Sequence, residues 1–266
     1  MTSVIFGVRL NELRSVDQLR GVATGFLDGD RVFRIFTPNP EILLHAREDP
    51  AYADLLRSAD LALPDGTGVA IVQALRGGRS VRRWPGVEIA AMLLRLAAER
   101  GETVAFVGGS PDVAERAAAR WRALPGLKVV VAGAGVAFDE DGIARSMARP
   151  EDGPEDGAED GPEDRENETV DVIRSAAPTI VLVGLGAPKQ ERWIERHADA
   201  FPSVRIMIGV GGAFDMWAGS KRRAPRAFRA LGLEWLWRLA LEPRRLPRTL
   251  RAAVVFPVLA LFDRAG

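Results

Sequence analysis

The sequence predicts an α/β protein, with helices and a largely parallel sheet in layers and a helical, arginine-rich appendage towards its end. Three observations carry this. Short runs of β-branched and aliphatic residues alternate with stretches of helical periodicity through most of the chain. Several runs end in a glycine turn that opens into a proline-led helix, as in Val107-Gly108-Gly109-Ser110-Pro111. From Leu231 onward the pattern changes to tryptophan, leucine and arginine at amphipathic spacing.

Taken in order, strands are expected at 32–36, 61–63, 103–107, 128–131, 180–183 and 205–208. The clearest helices between them are 40–47, 86–100, 112–124 and 188–201; in the second of these Ile89, Leu93, Leu96 and Ala97 recur every three or four positions. A length of 266 residues and a hydrophobic content of 47% allow a sizeable core. We assign 1–220 to that core and 221–266 to a basic amphipathic appendage.

There are no cysteines, which removes disulfides, thiolate zinc sites and a cysteine nucleophile together and suits a reducing compartment. With His45 and His197 the only histidines, a histidine-rich metal centre is excluded, and no metal is expected. The start, MTSVIFGVRLNELRS, lacks a basic region followed by a long apolar one, so no secretory signal is expected. The apolar stretch 252–262 is about half of the ~20 residues that span a bilayer, and Pro257 interrupts it, so it can touch a membrane but not cross one.

Net charge is zero, yet two opposite blocks lie beneath that balance. Residues 151–168 carry ten acids against Arg165 alone, whereas 220–251 carry ten bases against Glu234 and Glu242. The acidic block repeats two acids, glycine and a small residue or proline, a composition that cannot build a core, so 151–168 is expected to be a disordered surface insertion. The basic block interleaves arginine with tryptophan, which suits an anionic lipid surface or a diphosphate better than a neutral helix face.

Four places could carry chemistry. Thr37-Pro38-Asn39-Pro40-Glu41 ends a strand and opens a helix, where Thr37 and Asn39 either meet a ligand or, for Asn39, merely cap the helix. Pro64-Asp65-Gly66-Thr67-Gly68 puts one carboxylate between residues that let the backbone approach closely, so Asp65 is either a general base or the pivot of a tight turn. Val183-Gly184-Leu185-Gly186-Ala187-Pro188-Lys189-Gln190 and the similar Gly108-Gly109 turn aim unpaired N–H groups and a helix dipole at one spot, which suits a diphosphate; Lys189 would add charge and Gln190 a hydrogen bond. Lys189 stands where a dinucleotide fingerprint needs its third glycine, and no Walker pattern occurs. Gly209-Val210-Gly211-Gly212-Ala213-Phe214-Asp215 is either a close-approach loop or a packing turn.

Taken together and in order, TPNPE, PDGTG, GLGAPKQERW, GVGGAFD, AGSKRRAP, GLEWLWRL and EPRRLPR resemble the WecG/TagA/CpsF family of bacterial glycosyltransferases across residues 37–248. The resemblance implies a Rossmann-like core whose arginine-bearing appendage helps close the site at the cytoplasmic face of the membrane. It implies transfer of a sugar such as N-acetylmannosamine, or its uronic acid, from a UDP-sugar donor to a polyprenyl-diphosphate-linked acceptor in wall teichoic acid or surface polysaccharide synthesis.

By the same resemblance Asp65 is the catalytic base, with Thr37, Asn39 and Gln190 around sugar and acceptor. Arg83 falls in the family's arginine-before-glycine motif, and Arg238, Arg245 and Arg248 supply diphosphate contacts. Gly66, Gly68, Gly108, Gly109, Gly184, Gly186, Pro188 and Lys189 complete the substrate-binding turns. No cofactor or nucleic acid is implied, and the family includes homo-oligomers. The acidic block departs from the family, as does Trp84, where a small or β-branched residue is expected. The alternatives from other classes are a nicotinamide-dependent oxidoreductase and a non-catalytic membrane adaptor acting through 220–251.

Overall fold

The computed structural model describes residues 2–77, 82–145, 162–225, 227–228 and 231–263. Among them the strands are β1 (Thr2–Ile5), β2 (Val8–Asn11), β3 (Phe33–Phe36), β4 (Leu61–Ala62), β5 (Thr103–Val107), β6 (Lys128–Ala132), β7 (Ala137–Phe138), β8 (Ala144–Arg145), β9 (Ile180–Val183) and β10 (Ile206–Gly209). Six form a parallel sheet in the order β4-β3-β10-β9-β5-β6, confirming an α/β fold with helices between the strands. Every expected strand is present within one or two residues of its place.

The chain groups into two compact units, one of residues 1–23, 35–89 and 222–266, the other of 24–34 and 90–221; β3 contributes two residues to each. In the first, β1 and β2 form a hairpin through Phe6-Gly7, both at positive φ (50° and 74°), the two-residue turn whose twist matches that of the strands. Helix α2 (Pro40–Glu48) starts on Asn39, whose side chain accepts from Ile42 N at 3.0 Å, with Pro40 at its first position. Helix α3 (Pro50–Arg57) repeats the device with Asp49, which accepts from Tyr52 N at 3.1 Å. Helix α4 (Thr67–Leu75) follows β4 across the Pro64–Gly66 turn.

The C-terminal part of this unit holds α10 (Glu234–Leu241), a 3-10 turn (Pro243–Arg245), α11 (Leu246–Leu250), a π turn (Arg251–Val255) and α12 (Phe256–Leu261). Pro257 was expected to interrupt the apolar stretch, but the chain stays helical there. Proline has no N–H to give the Ala253 carbonyl, and the helix widens by one residue, with Phe256 N–H reaching Arg251 O. Phe256 is fully buried against Phe6 (ring centroids 6.0 Å apart), and the Asp263 carboxylate accepts from Phe6 N at 2.7 Å.

The second unit is built on β10-β9-β5-β6. Every residue of β9 and β10 is buried, as expected of parallel strands covered on both faces. Its helices include α1 (Val16–Leu27) in part, most of α5 (Gly86–Arg100), α6 (Pro111–Arg122), α7 (Pro162–Ala176), α8 (Lys189–His197) and α9 (Ala213–Trp217). Phe106 stacks on Phe214 with ring centroids 4.7 Å apart.

Two expectations are corrected in this unit. The helix expected over 188–201 ends at His197 and passes into a 3-10 turn, Ala198–Ala200. Of the acidic block, 151–161 lies outside the described residues, but the chain is helical from Pro162 onward. Proline at the start, acids in the first turns, and Val170 and Ile173 buried three residues apart suffice to form α7.

Candidate active site

The first unit contains a cavity of about 380 Å³ lined by residues from α2, the Pro64–Gly66 turn, α4, Arg83 and the C-terminal helices. The sequence-expected Asn39, Asp65, Gly66, Gly68, Arg83 and Arg248 all border it. Backbone bonds hold the acid-bearing turn. Leu63 N–H donates to Phe36 O (2.9 Å), Asp65 N–H to Pro38 O (3.0 Å) and Trp84 N–H to Pro64 O (2.8 Å). The TPNPE and PDGTG loops and the Arg83-Trp84 segment are therefore one hydrogen-bonded assembly. Trp84 itself is buried, with the Arg82 guanidinium 4.6 Å from its ring centre.

The glycines of this loop have geometric duties. Gly66 sits at φ +96°, where a side chain would be strained. A Cβ on Gly68 would lie 3.3 Å from Pro40 Cγ and 3.6 Å from the Ala252 carbonyl, so glycine lets the start of α4 approach α2 and the π turn. Because Gly66 has no side chain to cap α4, the first-turn N–H groups of that helix are left for whatever occupies the cavity. Thr67 Oγ1 donates to Gly232 O at 2.8 Å, fixing the turn before α10 to the same helix end.

Asn39 performs the bland role as well as bordering the cavity. Its Oδ1 caps α2, leaving the amide N–H group as the part able to meet a ligand. Thr37 is buried at the end of the preceding strand and is not among the residues bordering the cavity. Arg248 pairs with Glu41 (Nη2–Oε2 2.6 Å), and both face the cavity. The side chains of Arg238 and Arg245 lie outside the described residues. Sequence reasoning did not single out Ile71, Glu234, Trp235, Ala252 and Ala253 as lining residues; nothing in local spacing signals that helices so far apart in sequence share one wall.

In the second unit the glycine loops are built differently. A Cβ on Gly108 would meet Leu185 Cδ2 at 2.3 Å, and one on Gly184 would meet the Phe214 ring at 2.6 Å, so these glycines let loops and rings pack against each other. Gly109 and Gly186 adopt positive φ (82° and 77°). Pro188, after a cis Ala187–Pro188 bond, stands just before α8. Lys189 Nζ donates to the Phe138 carbonyl. Gln190 is buried, and both ends of its amide are engaged: Nε2 donates to Glu191 Oε1 at 2.7 Å, and Oε1 accepts from Gly211 N at 2.9 Å. It ties the GLGAPKQ helix to the GVGG loop.

No metal was expected, yet two Asp-x-Asp triplets occur, Asp28-Gly29-Asp30 and Asp139-Glu140-Asp141. Asp28 pairs with Arg100, and Asp141 with Arg192. Burial pushes the Asp139 carboxyl up, but N–H groups of Ile143 and Asp141 together with Arg145 outweigh that and hold it below the usual carboxylate range. Among the described residues no group of three His, Cys, Asp or Glu is placed to hold a metal ion. His197 is buried with Nδ1 3.0 Å from Trp193 O and Nε2 3.3 Å from Glu166 Oε1. Burial lowers its pKa below the ordinary histidine value, against the pull of Trp193 O and Glu166.

A parallel α/β core and a cavity joining an acid, arginines and a helix N-terminus are the equipment of a group-transfer enzyme. Comparison with known proteins makes the class specific. The model of the glycosyl transferase WecG/TagA/CpsF family matches residues 3–266, and the chain belongs to that family; it is a glycosyltransferase. It is similar to the N-acetylglucosaminyldiphosphoundecaprenol N-acetyl-beta-D-mannosaminyltransferase of Bacillus spizizenii, at 32% identity over 97% of this chain and 92% of the relative. Proteins of the same name from Bacillus subtilis (31% identity, 81% of this chain and 74% of the relative) and Staphylococcus aureus (30%, 92% and 86%) are also similar.

Proposed function

We propose that this chain transfers an N-acetylmannosamine-like sugar from a UDP donor to a sugar carried on polyprenyl diphosphate, inverting the anomeric centre in a single displacement. The observation that carries the reading is the convergence of Asn39, Asp65, Arg83 and Arg248 on one cavity at the starts of α2 and α4. The relatives' names supply the sugar and the lipid-linked acceptor. Asp65 takes the proton from the acceptor hydroxyl as that oxygen attacks the anomeric carbon and UDP departs. The uncapped N–H groups of α4 and the guanidinium of Arg83 meet the developing negative charge, and Arg248 grips the acceptor diphosphate after leaving Glu41. Gln190 acts through Gly211 as a positioning residue.

We propose that the enzyme works at the cytoplasmic face of the membrane, where a nucleotide-sugar donor and a lipid-linked acceptor meet. Among the described residues no helix is long and apolar enough to cross a bilayer. The C-terminal segment instead exposes Leu246, Leu250, Val254, Val258 and Phe262 on helices that also carry Arg248 and Arg251, the composition of a segment lying on an anionic surface. The test is UDP release from a panel of UDP-sugars with a short-chain polyprenyl-diphosphate-GlcNAc. Acceptor-dependent release with one donor is expected; no release with any donor would remove the proposal.

A further inference from the structure

We propose that the apolar wall of the cavity seats the first isoprenoid units of the acceptor, so that the chain reads the lipid next to the diphosphate as well as the sugar. This rests on the transfer reaction proposed above. The cavity is two-sided. Asn39, Asp65, Arg83 and Arg248 supply its polar and charged groups, whereas Ile71, Trp235, Ala252, Ala253 and Pro257 supply an apolar set. Ile71 and Trp235 are 49% and 43% exposed, large apolar side chains left facing water at a cavity wall. The aliphatic part of that set, Ile71, Ala252, Ala253 and Pro257, offers a sugar nucleotide no polar partner. A prenyl diphosphate has matching chemistry: two phosphates for the arginines, then a branched hydrocarbon chain for the wall.

The wall is shaped by local helix chemistry. Pro257 withholds the N–H that Ala253 O would otherwise accept, and the resulting π turn carries Ala252 and Ala253 on the cavity side. Single π turns inside helices recur at ligand sites. Two small side chains on that turn leave room that larger residues would fill. Leu75, one turn beyond Ile71, and Val254, Val258 and Leu261, on the turns that hold Ala253 and Pro257, are exposed as well, so the helices that form the wall carry further hydrocarbon on their surface.

The experiment titrates the full-length chain, free of detergent and vesicles, with isopentenyl, geranyl and farnesyl diphosphate by calorimetry. From the shortest to the longest, Kd is expected to tighten at least about tenfold, the return on burying two or so methylenes' worth of chain. Ile71→Asn, at a half-exposed position, and Ala253→Phe, which fills the wall, should each erase that gain while leaving the isopentenyl diphosphate affinity within about twofold.

A Kd independent of chain length overturns the proposal, as does a chain-length gain that survives both substitutions. A gain seen only with anionic vesicles would make the wall a bilayer contact, and one that tracks dimerisation by sedimentation would make it a contact with a second copy; either overturns it too. Binding is read without turnover, so failure of the transferase reading, which would show as absent UDP release, is distinguishable from failure of this one.

Discussion

The chain carries glycine-rich loops in both of its units, and they are put to opposite use. In the second unit, Gly108 and Gly184 exist so that Leu185 and Phe214 can pack where a Cβ would stand, and the polar side chains of the GLGAPKQ loop are spent on protein partners. In the first unit, Gly66 and Gly68 bring α4 close to α2 and the π turn, yet Asp65, Asn39 and Arg83 border an open cavity. A glycine turn after a strand is thus no sign of a ligand in itself. What distinguishes the two is what the polar side chains beside the turn border: a cavity in the first unit, and protein partners that hold Lys189 and Gln190 in the second.

The contrast is sharpened first by substitution in the packing loops. Gly108→Val places a branched side chain at φ +89° against Leu185, and a loss of at least about 3 kcal/mol of unfolding free energy is expected from strain and overpacking together. Urea denaturation reads it; a loss under about 1 kcal/mol would mean that the loop yields and that packing is not why glycine is there. Next in size is Gln190→Leu, which removes the buried hydrogen bonds to the Gly211 N–H and to Glu191 Oε1 at a cost of about 1–3 kcal/mol. If the variant keeps full stability but loses turnover, Gln190 acts on substrate directly and the division between the units breaks down.

In the cavity the order reverses, with small effects on stability and larger ones on the reaction. Arg248→Ala is expected to raise the acceptor KM by about tenfold and Arg83→Ala to lower kcat by about tenfold, each the loss of one charge-assisted contact, with unfolding free energy unchanged within about 0.5 kcal/mol. Initial-rate kinetics at saturating donor check this; an unchanged acceptor KM in the first would remove Arg248 from acceptor recognition, and an unchanged kcat in the second would remove Arg83 from the departing charge.

The smallest effect concerns pH. His197 is held neutral by burial, with its folded pKa below the unfolded value, so protonation favours the unfolded chain. Its stabilising contribution is complete above the unfolded value of about 6.5 and is lost as pH falls from there through the folded pKa. His197→Gln should flatten that part of the stability profile; a steeper acid loss in the variant would contradict the assignment.

The fold was readable because its signals are local. Strands 103–107 and 180–183 and helix 86–100 fall where periodicity puts them, as continuous buried runs and a three-to-four residue spacing require. The β1–β2 hairpin was missed because its turn uses Phe6 at positive φ instead of the Asn-Gly pair that marks such turns. Asp65 was legible from the PDGTG loop, and Asn39 from TPNPE, where the structure shows both its capping and its cavity-lining roles. Ile71, Trp235 and Ala253 were not, since each reads locally as an ordinary apolar helix residue and only tertiary packing gives them a common wall. Lys189 and Gln190 stand in the most ligand-like motif of the sequence, and the structure shows what spacing could not, that their side chains also hydrogen-bond to the protein itself.

The central claim, that the cavity of the first unit is where the chemistry is done, rests on Asp65. Turnover and urea unfolding measured on one preparation of Asp65→Asn test it most directly. The expected result is a fall in acceptor-dependent UDP release of about 10²–10⁴-fold, the usual worth of a general base, with unfolding free energy within about 0.5 kcal/mol of the native chain. Release at the native rate from the stable variant would contradict the claim and move the base elsewhere.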